Sequence, residues 1–181
     1  MSLETANINL IYDRTESDET ASAAIRKSYQ KLGNWSGLTD AEKAQLERGT
    51  LTYNTLNRVE SAVKLLAAAL TAAGYPVEIM PVLKGSKAED REWQEGDIVR
   101  RAQWTTYLGN VQRLRDAYYT LAETGALPKP EDKLGYAGAN TIEKILADID
   151  LLISWMKSSY RRCGTFRAGN NAAHLPLKGS V

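Results

Sequence analysis

Leu56-Asn57-Arg58-Val59-Glu60-Ser61-Ala62-Val63-Lys64-Leu65-Leu66-Ala67-Ala68-Ala69-Leu70-Thr71-Ala72-Ala73 carries apolar residues at Leu56, Val59, Val63, Leu66, Leu70 and Ala73. Steps of three and four put these side chains on one face of a helix. Asn54 or Thr55 is placed to cap its start, and Gly74 to end it. Glu60 precedes Lys64 by four residues, the order expected of a surface pair on such a helix. Ala67, Ala68, Ala69 and Ala72 fill the far side with the best helix former and permit close approach of a neighbour.

Two further stretches downstream read the same way. Trp104, Leu108, Val111, Leu114, Tyr118 and Leu121 form a stripe over a helix expected from Val99 to Glu123. Ile142, Ile145, Ile149, Leu152 and Met156 form another, widened by Leu146, Ile153 and Tyr160. Asn140 followed by Glu143 reads as a capping box at its start. A stripe this broad touches more than one neighbour, as in a bundle. Upstream, Ser17 is placed to cap a helix from Asp18 to Leu32, stopped by Gly33. Thr39 and Glu42 form a capping box for a short helix ending near Gly49. The expected fold is mainly α: a bundle of three long helices plus one or two short N-terminal helices, with little β.

Between and around the helices the periodicity fails. The chain divides into an N-terminal arm (1–16), a helical domain (17–160) and a basic tail (161–181). An irregular excursion at 75–97 interrupts the domain. Pro81 lacks an amide donor and argues against a central strand there, and the polar run from Lys84 to Glu95 reads as exposed.

Length and composition fit one globular domain with arms: 181 residues, 43% hydrophobic and 25% charged. Net charge is +1, unevenly placed. No acidic residue follows Asp150, whereas Lys157, Arg161, Arg162, Arg167 and Lys178 are basic. Such a tail suits nucleic acid or an acidic protein surface; the first three also suit the end of a helix, where cations complement the dipole. No signal peptide is legible at the start, and the apolar run at 65–75 is too short to insert in a membrane.

The residues offer little recognisable chemistry. Cys163 is the only cysteine, so no intrachain disulfide forms. It reads as a small apolar residue at a helix end, although Arg161 and Arg162 would favour its thiolate. His174, the single histidine, lies in the tail, where nothing holds a general base against a target. Asp148 and Asp150 point to different sides of a helix and read as solvated charges. Asp90, Glu92 and Glu95 lack the ligand alternation of a calcium loop. Phosphate loops, dinucleotide fingerprints and nucleophile elbows are missing from the sequence. No catalytic, cofactor-binding or metal-binding residues are assigned, and no cofactor is expected. Among the tryptophans, Trp104 and Trp155 read as core, while Trp35 and Trp93 lie where complete local burial is harder. Aromatic anchors favour interfaces, so Ile8, Leu10, Tyr12, Trp35, Trp93, Arg161, Arg162, Phe166 and Arg167 are the candidate partner contacts.

Four stretches add a resemblance. Asn9-Leu10-Ile11-Tyr12-Asp13-Arg14-Thr15 resembles the opening of small bacteriophage and prophage virion proteins of gut Firmicutes. Tyr53-Asn54-Thr55-Leu56-Asn57-Arg58-Val59-Glu60 is similar to a helix start in the same proteins, without their acidic residue before the leucine. The third stretch is Asn140-Thr141-Ile142-Glu143-Lys144-Ile145-Leu146-Ala147-Asp148-Ile149-Asp150, and the fourth Arg161-Arg162-Cys163-Gly164-Thr165-Phe166-Arg167. The resemblance implies a non-enzymatic virion structural protein, tail-, baseplate- or fibre-associated. It would be made in the host bacterial cytoplasm, with other virion proteins and further copies of itself as partners. The alternatives are a head or neck component, and a nucleic-acid-associated protein using the basic tail.

Overall fold

A computed structural model describes residues 2–33, 35–85 and 87–163, with residues 28, 31, 32 and 160–163 described by backbone alone. The order is α1 (Glu16–Leu32), a 3-10 turn (Trp35–Gly37), α2 (Asp40–Gly49), α3 (Tyr53–Ala72), α4 (Arg101–Ala117) and α5 (Tyr136–Cys163). The fold is mainly α. Among the described residues the only β pairing is an antiparallel bridge between Lys84 and Glu89.

The expected stripes form the core. Leu56, Val59, Val63, Leu66 and Leu70 of α3 are buried against Trp104, Leu108, Val111 and Leu114 of α4. Ile142, Ile145, Leu146, Ile149 and Ile153 of α5 close the third side. Each such side chain contributes about 1.5–3 kcal/mol when fully buried, so α3, α4 and α5 form the structural body. α1 and α2 pack chiefly on one another as a helical hairpin beside it. Ser22 on α1 donates to the Gln45 carbonyl at 2.8 Å, and Arg48 donates to Asp18 at 3.2 Å.

Several boundaries differ from expectation for identifiable reasons. Thr15, not Ser17, caps α1: its amide donates to Asp18 Oδ2 at 2.8 Å, and its hydroxyl accepts from the Asp18 amide at 3.4 Å. α3 starts at Tyr53 because the Thr52 hydroxyl accepts from the Thr55 amide. α4 stops at Ala117, not Glu123. Tyr118 is extended there and packs edge-on against Tyr75, with ring centroids 4.7 Å apart. Arg115 then donates to the carbonyls of Thr124 and Gly125, which folds the chain back along the helix end. α5 begins at Tyr136, four residues ahead of Asn140, so the expected Asn140–Glu143 capping box does not form. The Thr39 box does form, as do the stops at Gly33 and Gly74, both with positive φ.

The segment before α1 is not a free arm. Leu3 is buried in the core, and Ile8 and Leu10 pack against it half-buried. The 75–97 stretch is irregular, as expected, and most described residues of its run from Lys84 to Glu95 are exposed. Val82, Lys84 and Trp93, however, are buried and pin it to the body. The tryptophans divide differently as well. Trp104 is core, but Trp155 is 51% exposed, because it lies on the outer side of α5 beside Leu151.

Candidate functional site

Extended chain lying on a helix has a specific problem, because its amides and carbonyls have no neighbouring strand. Three asparagines solve it, one on each long helix. Asn57 of α3 accepts from the Trp93 amide at 2.7 Å and donates to the Trp93 carbonyl at 2.9 Å. Asn110 of α4 treats Met80 the same way, at 3.0 and 2.8 Å. Asn140 of α5 does so for Arg14, at 3.0 and 2.8 Å. A carboxamide presents one acceptor and donors in a plane, as a peptide group does. Each asparagine therefore acts as one residue of a missing strand.

Charged nodes sit beside two of these clamps. Glu143 is buried within α5 and accepts from Arg14 at 2.5 Å, from Arg58 at 3.0 and 3.2 Å, and from the Ile11 amide at 2.6 Å. Arg58 also reaches Glu47 of α2 at 3.3 Å, tying the hairpin to the body. Three of the four stretches that carry the resemblance thus meet at one carboxylate. At the second node Glu60 accepts from Lys84 Nζ at 2.7 Å and from the Trp93 indole N–H at 2.8 Å. Lys84 is fully buried, with its ammonium 5.6 Å from the Trp93 ring centroid. Glu60 therefore pairs with Lys84 rather than Lys64. Asp148, expected in solvent, is buried and accepts from Thr124 at 2.7 Å as well as from Lys144.

These nodes relocate the candidate contacts. Trp93 is only 2% exposed and faces the core, because Asn57 and Glu60 hold both its backbone and its indole; it is unavailable to a partner in this structure. Ile8 and Leu10 are largely committed to the body. Tyr12 is 47% exposed, with the Lys144 ammonium 6.0 Å from its ring centroid. Trp35 is half-buried at the mouth of a cleft. Phe166 and Arg167 lie outside the described residues, as do the side chains of Arg161 and Arg162, and so does His174.

The cleft, about 570 Å³, lies between the α1–α2 hairpin and the body. Tyr29, Trp35, Tyr53, Glu95 and Tyr136 are among its lining residues. Trp35 packs edge-on against Tyr29 and Tyr53, with centroids 6.2 and 5.5 Å apart. Glu95 Oε1 accepts from the Tyr29 hydroxyl at 2.8 Å and from the Trp35 amide at 2.6 Å. The hydrogen bond to Glu95, then burial and the Glu95 charge, push the Tyr29 phenol up. Burial, followed by the charges of Glu95 and Glu47, pushes Tyr53 up as well. Both phenols are therefore neutral donors at physiological pH. This lining is suited to recognition: an aromatic wall, a carboxylate and hydroxyl groups. Sequence reading placed Trp35 but missed Tyr29, Tyr53 and Glu95, which lie on three separate segments with no shared motif.

Among the described residues, no group of three His, Cys, Asp or Glu side chains could hold a metal ion, and no helix is long and apolar enough to cross a membrane. No family model, curated protein or solved structure matches the chain.

Proposed function

We propose that this protein is a non-enzymatic structural component of a bacteriophage particle, associated with the tail or baseplate. The observation that carries the reading is the use made of Arg14, Arg58, Asn140 and Glu143. All four belong to the stretches that resemble virion proteins, and all four join chain segments to one another. What the resemblance transfers is therefore a scaffold. The buried polar side chains elsewhere follow the same pattern: Lys84, Asn110 and Asp148 each bind another part of the chain. A catalytic group needs geometry that leaves it facing a substrate, whereas these groups are bonded to side chains and backbone of the same chain.

Mass spectrometry of particles purified from the bacterium carrying the gene tests the proposal. The protein is expected in mature particles at a fixed ratio to tail proteins. Its absence from particles that contain the rest of the tail would overturn the reading.

A further inference from the structure

We infer that the cleft between the α1–α2 hairpin and the body receives the basic C-terminal segment, residues 161–178, of a second copy of this chain. This deepens the structural reading above by naming the partner and the surface. The first argument is charge. Among the described residues no cation pairs with Glu95, whose bonds come from neutral donors, Tyr29 and Trp35. Glu19, also in the lining, has no ion-pair partner there either. Arg14 and Arg48 line the cleft too, but Glu143 neutralises the first, and Asp13 and Asp18 the second. Arg26, exposed in the lining, likewise has no ion pair among the described residues and offsets Glu19, which leaves Glu95 as the uncompensated charge.

The second argument is the form of that site. A carboxylate beside the rings of Trp35 and Tyr53 suits an arginine or lysine, which gains an ion pair and a ring face together. Arg161-Arg162-Cys163-Gly164-Thr165-Phe166-Arg167 supplies three such cations and an aromatic ring, and contains no acidic residue.

The third argument is placement. α5 starts at Tyr136 on the cleft lip and runs for 28 residues, about 40 Å, away from it. Its end therefore lies far from its own cleft, and a segment seated in a neighbour's cleft joins copies either reciprocally, as a two-fold pair, or head-to-tail. Head-to-tail contacts build rings or open filaments.

The test uses the full-length chain in sedimentation velocity at low and high salt. The expected result is an average mass that rises with concentration at low salt and falls at high salt. Glu95→Gln keeps an acceptor for Tyr29 and Trp35, and should weaken association at least tenfold without changing helix content. The triple variant Arg161→Gln, Arg162→Gln, Arg167→Gln should do the same. Mixed together, the two should restore one interface, because the first keeps its tail and the second its cleft, giving a 1:1 dimer. A wild-type chain that stays monomeric at low salt would overturn the inference. So would association that resists Glu95→Gln, a mixture no more associated than its components, or association abolished by nuclease. Self-association failing while the protein is found in particles would sink this inference and leave the structural role standing.

Discussion

Asn110 accepts from an amide and donates to a carbonyl of Met80 from the buried side of α4, and Asn57 and Asn140 make the matching pairs elsewhere. Replacing a buried or half-buried amide with a hydrocarbon removes the partners of both backbone groups, which costs about 1–3 kcal/mol. Asn110→Leu and Asn57→Leu are each expected to lose that much stability in chemical denaturation. Gln112→Leu, on the same helix as Asn110 but bonded only to Asp116 on the surface, should change stability by less than about 0.5 kcal/mol. A second prediction concerns Asp18. Hydrogen bonds from Thr15, then from Arg48 and Gln45, hold its carboxyl at about 2 against a usual 3.8. A depressed folded value means its contribution is complete above the unfolded value and disappears as pH falls towards 2. Asp18→Asn should therefore lower stability at neutral pH and flatten the loss between about pH 4 and 2. An unchanged acid slope would contradict the cap geometry.

At the scale of elements, the hairpin and the body are held by different means. α1 and α2 approach closely at Gly49, where an added Cβ would collide with Ser22 Oγ and the Asp18 carbonyl. Gly49→Ala should cost about 1–3 kcal/mol by forcing the two helices apart. Hydrogen exchange should quicken in α1 and α2 while α3, α4 and α5 stay protected; uniform quickening would show that the hairpin does not open separately. Elements were also where the sequence was most legible. A stripe is a local property, so α3 and the inner faces of α4 and α5 could be read from spacing alone. The Thr39–Glu42 box was legible for the same reason. The end of α4 was not, since it depends on Tyr118 meeting Tyr75 and on Arg115 meeting Thr124. The start of α5 was misread because Asn140 and Glu143 have capping chemistry but spend it on Arg14 and Ile11, far away in the chain.

At the scale of the molecule, polar burial has one physical origin that local motifs do not carry: partners distant in the chain. Lys84, Glu143 and Asp148 are buried because partners 24, 129 and 24 residues away neutralise or hydrogen-bond them. Nothing in local spacing reports such partners. The same limit hid Glu95, whose neighbours Tyr29 and Trp35 come from another part of the chain. The segments 2–15 and 75–100 thus belong to the fold, and the charged and amide side chains of the long helices hold them there. Amide hydrogen exchange at Arg14, Met80 and Trp93 tests this most directly. If the asparagine clamps hold, these three amides exchange at least ~100-fold more slowly than an unstructured peptide, opening only with larger parts of the fold. Exchange at free-peptide rates, with the helices still protected, would show that the segments are loose and the account wrong.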